Sequence, residues 1–198
     1  MPVAALAALL LLHLAICCPG PGLLLIRRLR VSPLERWCIA VALSLLLVGL
    51  GSFAIFALGL PNGARLLLGA ALAGMSALAF PDLRRLLRRT QVRDAALGYA
   101  FLLAWSIALL AAVRSYSGGT WYGDWAEHHQ RTLFFLGALP ADFRFLDRYL
   151  VTTRPPLMNA LTAQLLWPVG ARFELFQIAS TALNLTVFFP ACLLAQRL

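Results

Sequence analysis

The sequence contains no lysine, and only 13% of its 198 residues are charged. A soluble domain is typically about 25% charged and about 45–50% apolar, whereas 61% of this chain is hydrophobic. That composition excludes a soluble globular enzyme, a disordered chain and a secreted disulfide scaffold. The 17 basic residues are all arginines and give a formal net charge of +9. With so few polar residues around them, they do not indicate a nucleic-acid-binding protein.

Cysteine clusters and acidic residues within apolar runs are also missing. The four cysteines (Cys17, Cys18, Cys38 and Cys192) lie in apolar runs and form no CxxC or Cys/His motif, so neither a zinc site nor a redox site is predicted. Coupled transporters usually place ionisable residues in the middle of the membrane. Because the apolar runs contain no acidic residue, an ion- or proton-coupled transporter is the least favoured class.

Long apolar runs dominate what is present. Lipid leaves unpaired backbone groups without partners, and the runs lack the alternation of a barrel, so we expect helices. The sequence therefore predicts an all-α polytopic membrane protein with about six transmembrane helices and one long external loop containing short amphipathic helices. The runs are Val3–Ile26 (with a kink at Pro19–Gly22), Trp37–Leu60, Ala64–Phe80, Ala95–Val113, Leu157–Val169 and Leu175–Leu194.

Arginine is concentrated in two connections between these runs. One connection holds Arg27, Arg28, Arg30 and Arg36, and the other holds Arg84, Arg85, Arg88, Arg89 and Arg93. An excess of positive charge marks cytoplasmic loops. We therefore predict that residues 1–94 form three transmembrane helices with cytoplasmic Arg-rich loops. The N-terminus and the segment 114–156 are then outside the membrane, most simply the inner (plasma) membrane of a bacterium.

The segment 114–156 is the one extended polar stretch, and a loop of this length usually has a function. Asp124 precedes a helix-favouring stretch that ends at Gly137. Asp124 with Glu127 matches a capping box, and Glu127 with Arg131 matches a stabilising i,i+4 pair. One interpretation is therefore an ordinary amphipathic helix. Four of the eight acidic residues and two of the three histidines lie in this segment: Asp124, Glu127, His128, His129, Asp142 and Asp147.

The same helix also permits a functional interpretation. A carboxylate at the outer end of a membrane helix, beside aromatic residues, is partly desolvated and suits a general base. His128 and Arg131 follow Asp124 at roughly helical spacing and are expected to face the same cavity. The two histidines together with Asp124 and Glu127 could also bind a divalent cation. Their spacing matches no standard metal motif, so no metal-binding residue is assigned.

Two further features complete the external segment. Phe143, Leu146 and Leu150 fall at helical spacing with charged residues between them, which predicts a short amphipathic helix in the membrane interface. Arg154 then stands before Pro155-Pro156, which favour the start of the next helix. An arginine beside a helix N-terminus suits a phosphate group, although a simple interfacial arginine fits the same position.

The order of these motifs resembles the N-terminal module of the GT-C glycosyltransferases, the superfamily of protein O-mannosyltransferases and lipid A aminoarabinose transferases. The resemblance covers residues 95–198: a helix, an external loop opening with Gly123-Asp124, then Arg154-Pro155-Pro156-Leu157 before a short membrane helix. Family members commonly have Asp-Glu in the loop, whereas this chain has Asp124-Trp125 with the glutamate at position 127.

The resemblance implies transfer of a sugar from a polyprenyl phosphate to an acceptor glycan, lipid or protein on the outer face of the membrane. It implies that Asp124 is the catalytic base and that Arg154 binds the lipid phosphate, with Glu127, His128 and Arg131 as further substrate-binding residues. Because related enzymes have more helices and a further soluble domain, we expect residues 95–198 to be a truncated module. The alternative is a non-catalytic membrane scaffold or assembly subunit that binds a partner through the loop.

Overall fold

The structure is a computed structural model that describes residues 1–113, 124–145, 149–153 and 156–196. These ranges are mostly helical and contain one small antiparallel sheet. The elements are α1 (Val3–Cys17), α2 (Gly20–Leu25), α3 (Pro33–Ala57), α4 (Gly63–Leu87), α5 (Thr90–Ala112), α6 (Asp124–Phe135), β1 (Arg144–Phe145), β2 (Tyr149–Leu150), α7 (Leu157–Leu166), α8 (Phe173–Asn184) and α9 (Phe188–Ala195), with a 3₁₀ turn (Leu185–Val187) between the last two.

Five apolar helical stretches in the described ranges are long enough to cross a bilayer, so the fold is that of an all-α polytopic membrane protein. The sixth predicted run forms α7, which has ten residues and spans only about 15 Å against a hydrocarbon core of about 30 Å. It is therefore a short helix inside the bundle. The five long stretches are Val3–Leu25, Pro33–Ala57, Gly63–Leu87, Thr90–Ala112 and Phe173–Ala195.

The limits of α3 follow from local sequence. Ser32 accepts a hydrogen bond from the backbone N–H of Glu35 at 3.3 Å, and its own N–H donates to the Glu35 carboxylate at 2.9 Å. This capping box starts the helix. At the other end Gly59 adopts φ +62°, a conformation that glycine reaches without steric cost and that commonly ends helices.

The predicted break near Pro19–Gly22 is confirmed and has a packing role. α1 ends at Cys17 and α2 begins at Gly20. Gly22 lies so close to α3 that a β-carbon there would be 2.1 Å from the carbonyl oxygen of Ala40. The N–H of Gly22 donates to Ser44 Oγ at 2.8 Å. The break therefore lets the backbone of α2 pack directly against α3.

The outer surface of the helices is strongly apolar, as contact with lipid requires. α4 and α5 carry many large hydrophobic side chains that no described element covers, including Leu66, Leu67, Leu78, Leu97, Phe101 and Trp105. A monomeric soluble protein rarely exposes apolar patches larger than a few hundred Å². These helices are therefore suited to face hydrocarbon.

The bundle has two chemically different ends. We call residues 27–36 and 82–94 the Arg-rich end, since nine arginines and three acidic residues lie there. α4 starts at the opposite end, where Arg65 bonds to Phe135 of α6 and Phe56 of α3 packs on Phe134 with ring centroids 4.8 Å apart. We call this the α6 end.

The predicted amphipathic helix around residues 143–150 is wrong. Two short strands are present instead, with Arg144 opposite Leu150 and Phe145 opposite Tyr149, and the N–H of Val151 donates to the carbonyl of Phe143 at 3.0 Å. Aromatic residues favour strands. The guanidinium of Arg131 also bonds to the carbonyl oxygens of Leu150 and Val151, which a helix would have used internally.

Candidate functional site

The helix α6 is held rigidly at its C-terminal end. It finishes in a Schellman motif, in which Gly137, with φ +77°, donates to Phe134 at 2.9 Å and Ala138 donates to Leu133 at 2.9 Å. Gly137 therefore has the C-terminal role predicted for it. The rings of Phe134 and Phe135 pack on Phe56 of α3, which fixes the helix against the bundle.

A buried arginine strengthens this anchor. Arg65 is 3% exposed and donates to the carbonyl oxygen of Phe135 at 2.5 Å and to Ser52 Oγ at 2.9 Å. Gln164 of α7 accepts from the same guanidinium at 3.4 Å and donates to the carbonyl of Arg65 at 3.1 Å. One side chain thus joins α3, α4, α6 and α7.

The predicted pair between Glu127 and Arg131 is present and buried. The Arg131 Nη2 lies 2.6 Å from Glu127 Oε1, and the two side chains are 2% and 8% exposed. Arg131 also donates to the carbonyl oxygen of Val151 and to Thr153 Oγ1. The pair therefore ties α6 to the strand that leads toward Arg154, and neither residue lines the cavity described next.

A polar cavity of about 240 Å³ lies beside the first two turns of α6. On the α6 side, the exposed residues Asp124 and Trp125 line it together with His128. On α7, Asn159 is 2% exposed and Thr162 is 1% exposed, although both are polar. The nine lining residues are Asp124, Trp125, His128, Met158, Asn159, Thr162, Phe176, Ser180 and Asn184. We refer to this space as the polar cavity.

His128 and Asn159 form a hydrogen bond across the cavity wall. The distance between His128 Nδ1 and Asn159 Oδ1 is 3.2 Å. Because an amide oxygen only accepts hydrogen bonds, His128 donates from Nδ1, and in the neutral ring Nε2 is then an acceptor. His128 is thereby oriented by α7, and its Nε2 remains available as a hydrogen-bond acceptor.

His129 has a different role on the neighbouring face of α6. Its Nε2 donates to the carbonyl of Ala171 at 2.9 Å, and its ring packs against Phe173 and Phe176 with centroid distances of 5.3 and 5.2 Å. Burial lowers the pKa of His129 below its ordinary value, although the bond to Ala171 and the charge of Glu174 act in the opposite direction. His129 joins α6 to α8 as a neutral side chain.

An apolar cleft of about 920 Å³ lies directly next to the polar cavity. It runs along α3, α7, the end of α8 and α9, and it shares Met158 and Asn184 with the polar cavity. Nearly all of its other lining residues are aliphatic or aromatic, for example Leu46, Leu161 and Val187. The polar groups of the cavity therefore lie beside an apolar cleft that is suited to a hydrocarbon chain.

The structure places only some of the predicted site residues in the polar cavity. Asp124 and His128 line the polar cavity, whereas Glu127 and Arg131 lie behind it as a buried pair. Asp124 is exposed, so the partial desolvation predicted for it is not seen among the described residues. Arg154 lies outside the described residues.

Several residues of the cavity were not predicted as a site. Asn159 and Thr162 are three residues apart on α7, and Phe176, Ser180 and Asn184 recur every four residues on α8, so each set lies on one helix face. This spacing is the signal that sequence reasoning could have used. The buried Arg65 gave no such signal, because one arginine after a turn is typical of a membrane interface.

A metal centre finds no support in the part of the chain that the structure describes, since no three His, Cys, Asp or Glu side chains come together there to hold an ion. The chemistry available in the polar cavity is that of one carboxylate, one imidazole, two carboxamides and two hydroxyls.

Comparison with known proteins gives no match: no family model matches the sequence, and no curated protein or solved structure is significantly similar to it. The resemblance to the GT-C glycosyltransferases therefore stays a prediction based on the motifs alone.

Proposed function

We propose that this chain is a polyprenyl-phosphate-sugar-dependent glycosyltransferase, or part of one, that transfers a sugar to an acceptor at the α6 end. The observation that carries the proposal is the shared wall between the polar cavity and the apolar cleft at Met158 and Asn184. A lipid-linked sugar has one polar end and one long apolar chain, so it needs two such spaces side by side.

Asp124 is the proposed catalytic base. It takes the proton from the acceptor hydroxyl as the oxygen forms a bond to the anomeric carbon of the sugar. The bond between that carbon and the phosphate oxygen breaks, and the polyprenyl phosphate leaves with the electron pair. Asp124 lines the cavity at the first turn of α6, and positioned general bases typically contribute a factor of about 10²–10⁴ in rate.

The neighbouring residues have supporting roles in this proposal. His128, held by Asn159 at 3.2 Å, orients the acceptor or the sugar hydroxyls. The buried pair of Glu127 and Arg131 positions α6 relative to residues 149–153, and Arg154 binds the lipid phosphate. Arg154 directly follows Thr153 in the sequence, and Thr153 is held by a hydrogen bond from Arg131. The proposed phosphate-binding residue is therefore the next residue after one that is fixed to α6.

The side of the membrane on which the polar cavity lies is inferred from the distribution of arginine. The Arg-rich end carries an excess of positive charge, which favours the cytoplasmic side, and the polar cavity lies at the opposite end. We therefore propose the inner membrane of a bacterium, with transfer on its outer face. The acceptor can be a glycan, a lipid or a protein hydroxyl.

Sugar transfer by the full chain in lipid nanodiscs tests the proposal. Donors would be polyprenyl phosphates carrying a hexose or a pentose, with release of polyprenyl phosphate as the readout. Asp124→Asn is expected to lower the rate by at least 100-fold. Asp142→Asn is the matched control, because Asp142 is an exposed carboxylate of the same external segment and does not line the cavity.

The non-catalytic scaffold makes the opposite prediction. If folded protein neither releases polyprenyl phosphate from any donor nor binds one, the transferase proposal is overturned. Equal rates for Asp124→Asn and the wild type would overturn the role of Asp124. A variant that loses activity counts only if its melting temperature matches that of Asp142→Asn.

A further inference from the structure

A second cleft lies toward the Arg-rich end and shares no lining residue with the polar cavity. It has a volume of about 340 Å³ and is formed by α1, α3, α4, α5 and α9. Trp37, Leu87 and Ala96 line the part nearest the Arg-rich end, and Leu11 and Leu103 line the part deeper in the bundle. We call this space the Trp37 cleft.

The shape of the Trp37 cleft limits what can occupy it. Along α3 it extends from Trp37 to Leu45, eight residues, or about 12 Å of helix. An apolar cleft of this length is suited to a hydrocarbon chain.

The polar groups of the cleft differ in their pairing. The Tyr99 hydroxyl donates to the carbonyl of Ala182 at 2.8 Å. In contrast, the indole N–H of Trp37, a residue that is 7% exposed, has no hydrogen-bond partner among the described residues. A buried donor without a partner is costly. An acceptor brought by a ligand, such as an ester or phosphate oxygen, would satisfy it.

The charge around this end is complementary to an anion. Residues 27–36 and 82–94 contain nine arginines and three acidic residues, an excess of six positive charges. Arg36 precedes Trp37 and donates from Nη2 to the carbonyl of Leu29 at 2.6 Å, while its buried Nε has no partner in the described ranges. Arg84, Arg88 and Arg89 are exposed and form no salt bridge with described residues.

We propose that the Trp37 cleft binds one acyl chain of an anionic phospholipid, whose headgroup lies against the arginines of the Arg-rich end. Basic pockets between transmembrane helices at a membrane surface are suited to acidic lipid headgroups. The apolar cleft supplies the chain site, the N–H groups of Trp37 and Arg36 supply donors, and the excess positive charge selects against neutral lipids. The Trp37 cleft adjoins the apolar cleft and shares Val41, Leu45, Thr186 and Phe189 with it, so competition with polyprenyl phosphate is needed to distinguish the two lipid sites.

Native mass spectrometry of the full chain in a neutral detergent tests this proposal. The probes are phosphatidylglycerol and phosphatidylcholine with identical acyl chains, titrated separately. The expected result is retention of one phosphatidylglycerol with an apparent Kd at least tenfold lower than that of phosphatidylcholine. Equal affinity for the two lipids would overturn the proposal.

Three variants locate the lipid. Ala96→Trp fills the cleft and is expected to weaken phosphatidylglycerol binding at least tenfold, and Trp37→Phe removes the N–H while keeping the ring and is expected to weaken it several-fold. Arg172→Gln is the control, because it removes one charge from an exposed residue that is paired with Glu174 outside the Arg-rich end, and it should change the Kd less than twofold.

Two outcomes would contradict the assignment. If Ala96→Trp binds phosphatidylglycerol as tightly as the wild type, the lipid is held by surface charge alone. If polyprenyl phosphate displaces phosphatidylglycerol and is lost in the same variants, the cleft belongs to the donor lipid. Should Ala96→Trp fail to fold, Trp37→Phe together with Arg36→Gln decides the question, since wild-type affinity in both overturns the proposal.

Discussion

The guanidinium of Arg65 donates a hydrogen bond to the backbone carbonyl of Phe135 at 2.5 Å, although the two residues are 70 positions apart in sequence. Arg65 lies in the first turn of α4, and Phe135 is the last residue of α6. The last carbonyls of a helix have no partner within the helix. A cation at that end satisfies one of them and interacts favourably with the helix dipole.

Replacing Arg65 is therefore expected to loosen α6 without touching the polar cavity. In Arg65→Gln, the Phe135 carbonyl and the Ser52 hydroxyl lose a buried partner, at about 1–3 kcal/mol for each unsatisfied group. Thermal unfolding in detergent would measure the loss. Arg172→Gln is the control, because Arg172 pairs with Glu174 at the surface, and a melting temperature equally lowered in both variants would contradict the anchoring role.

The pair of Glu127 and Arg131 is expected to behave as a buried ion pair. Glu127→Ala leaves the Arg131 charge buried without its carboxylate, which typically costs about 3–5 kcal/mol. The exposed pair of Arg172 and Glu174, at 3.5 Å, provides the comparison, and Glu174→Ala should cost less than about 1 kcal/mol. Comparable unfolding free energies for the two variants would show that the first pair does not stabilise the fold.

Gly22 makes the contact between α2 and α3 sensitive to a single methyl group. A β-carbon at this position would lie 2.1 Å from the Ala40 carbonyl oxygen, so Gly22→Ala is expected to destabilise the bundle by about 1–3 kcal/mol. Gly74→Ala is the matched control, because Gly74 has open space around its β-position within α4. It should be neutral, or stabilising by about 0.5–1 kcal/mol. The opposite order of melting temperatures would refute the close contact.

The lowered pKa of His129 predicts that the stability of the fold depends on pH. Because its folded pKa is lowered from the ordinary value of 6.5, the unfolded chain binds more protons between the two pKa values. Its contribution is therefore fully present above about pH 6.5 and is lost as pH falls through the lowered folded value. Melting temperatures of the wild type and His129→Gln between pH 5 and 8 test this, and the variant should show a smaller slope. Identical slopes would exclude His129 as the source.

The parts of the site that depend on local sequence were predicted well. The pairing of Glu127 with Arg131 and the end of α6 at Gly137 depend on spacings of a few residues within one helix. The strands around Phe145 were missed because the carbonyl oxygens of Leu150 and Val151 accept hydrogen bonds from Arg131, which lies on a different element. A helical spacing of apolar residues cannot reveal that the backbone carbonyls are used elsewhere.

The cavity itself depends on which helices become neighbours. Asn159 and Ser180 each lie on a mostly apolar helix, and only the packing of α7 against α6 and α8 brings them to Asp124. The short length of α7, in contrast, is already visible in its apolar run Leu157–Val169, which is shorter than a membrane span needs. Tertiary contacts of this kind leave little trace in a single sequence.

The claim that the polar cavity and the apolar cleft form one site for a lipid-linked sugar has a direct test. A polyprenyl phosphate hexose with a photoreactive group in its lipid chain would be crosslinked to the full chain in nanodiscs, and the labelled peptides mapped. We predict labelling at cleft residues such as Leu46, Leu161 and Val187, and its loss with excess unlabelled donor. Labelling spread evenly over lipid-facing residues such as Leu97 and Phe101, unaffected by competitor, would contradict the claim.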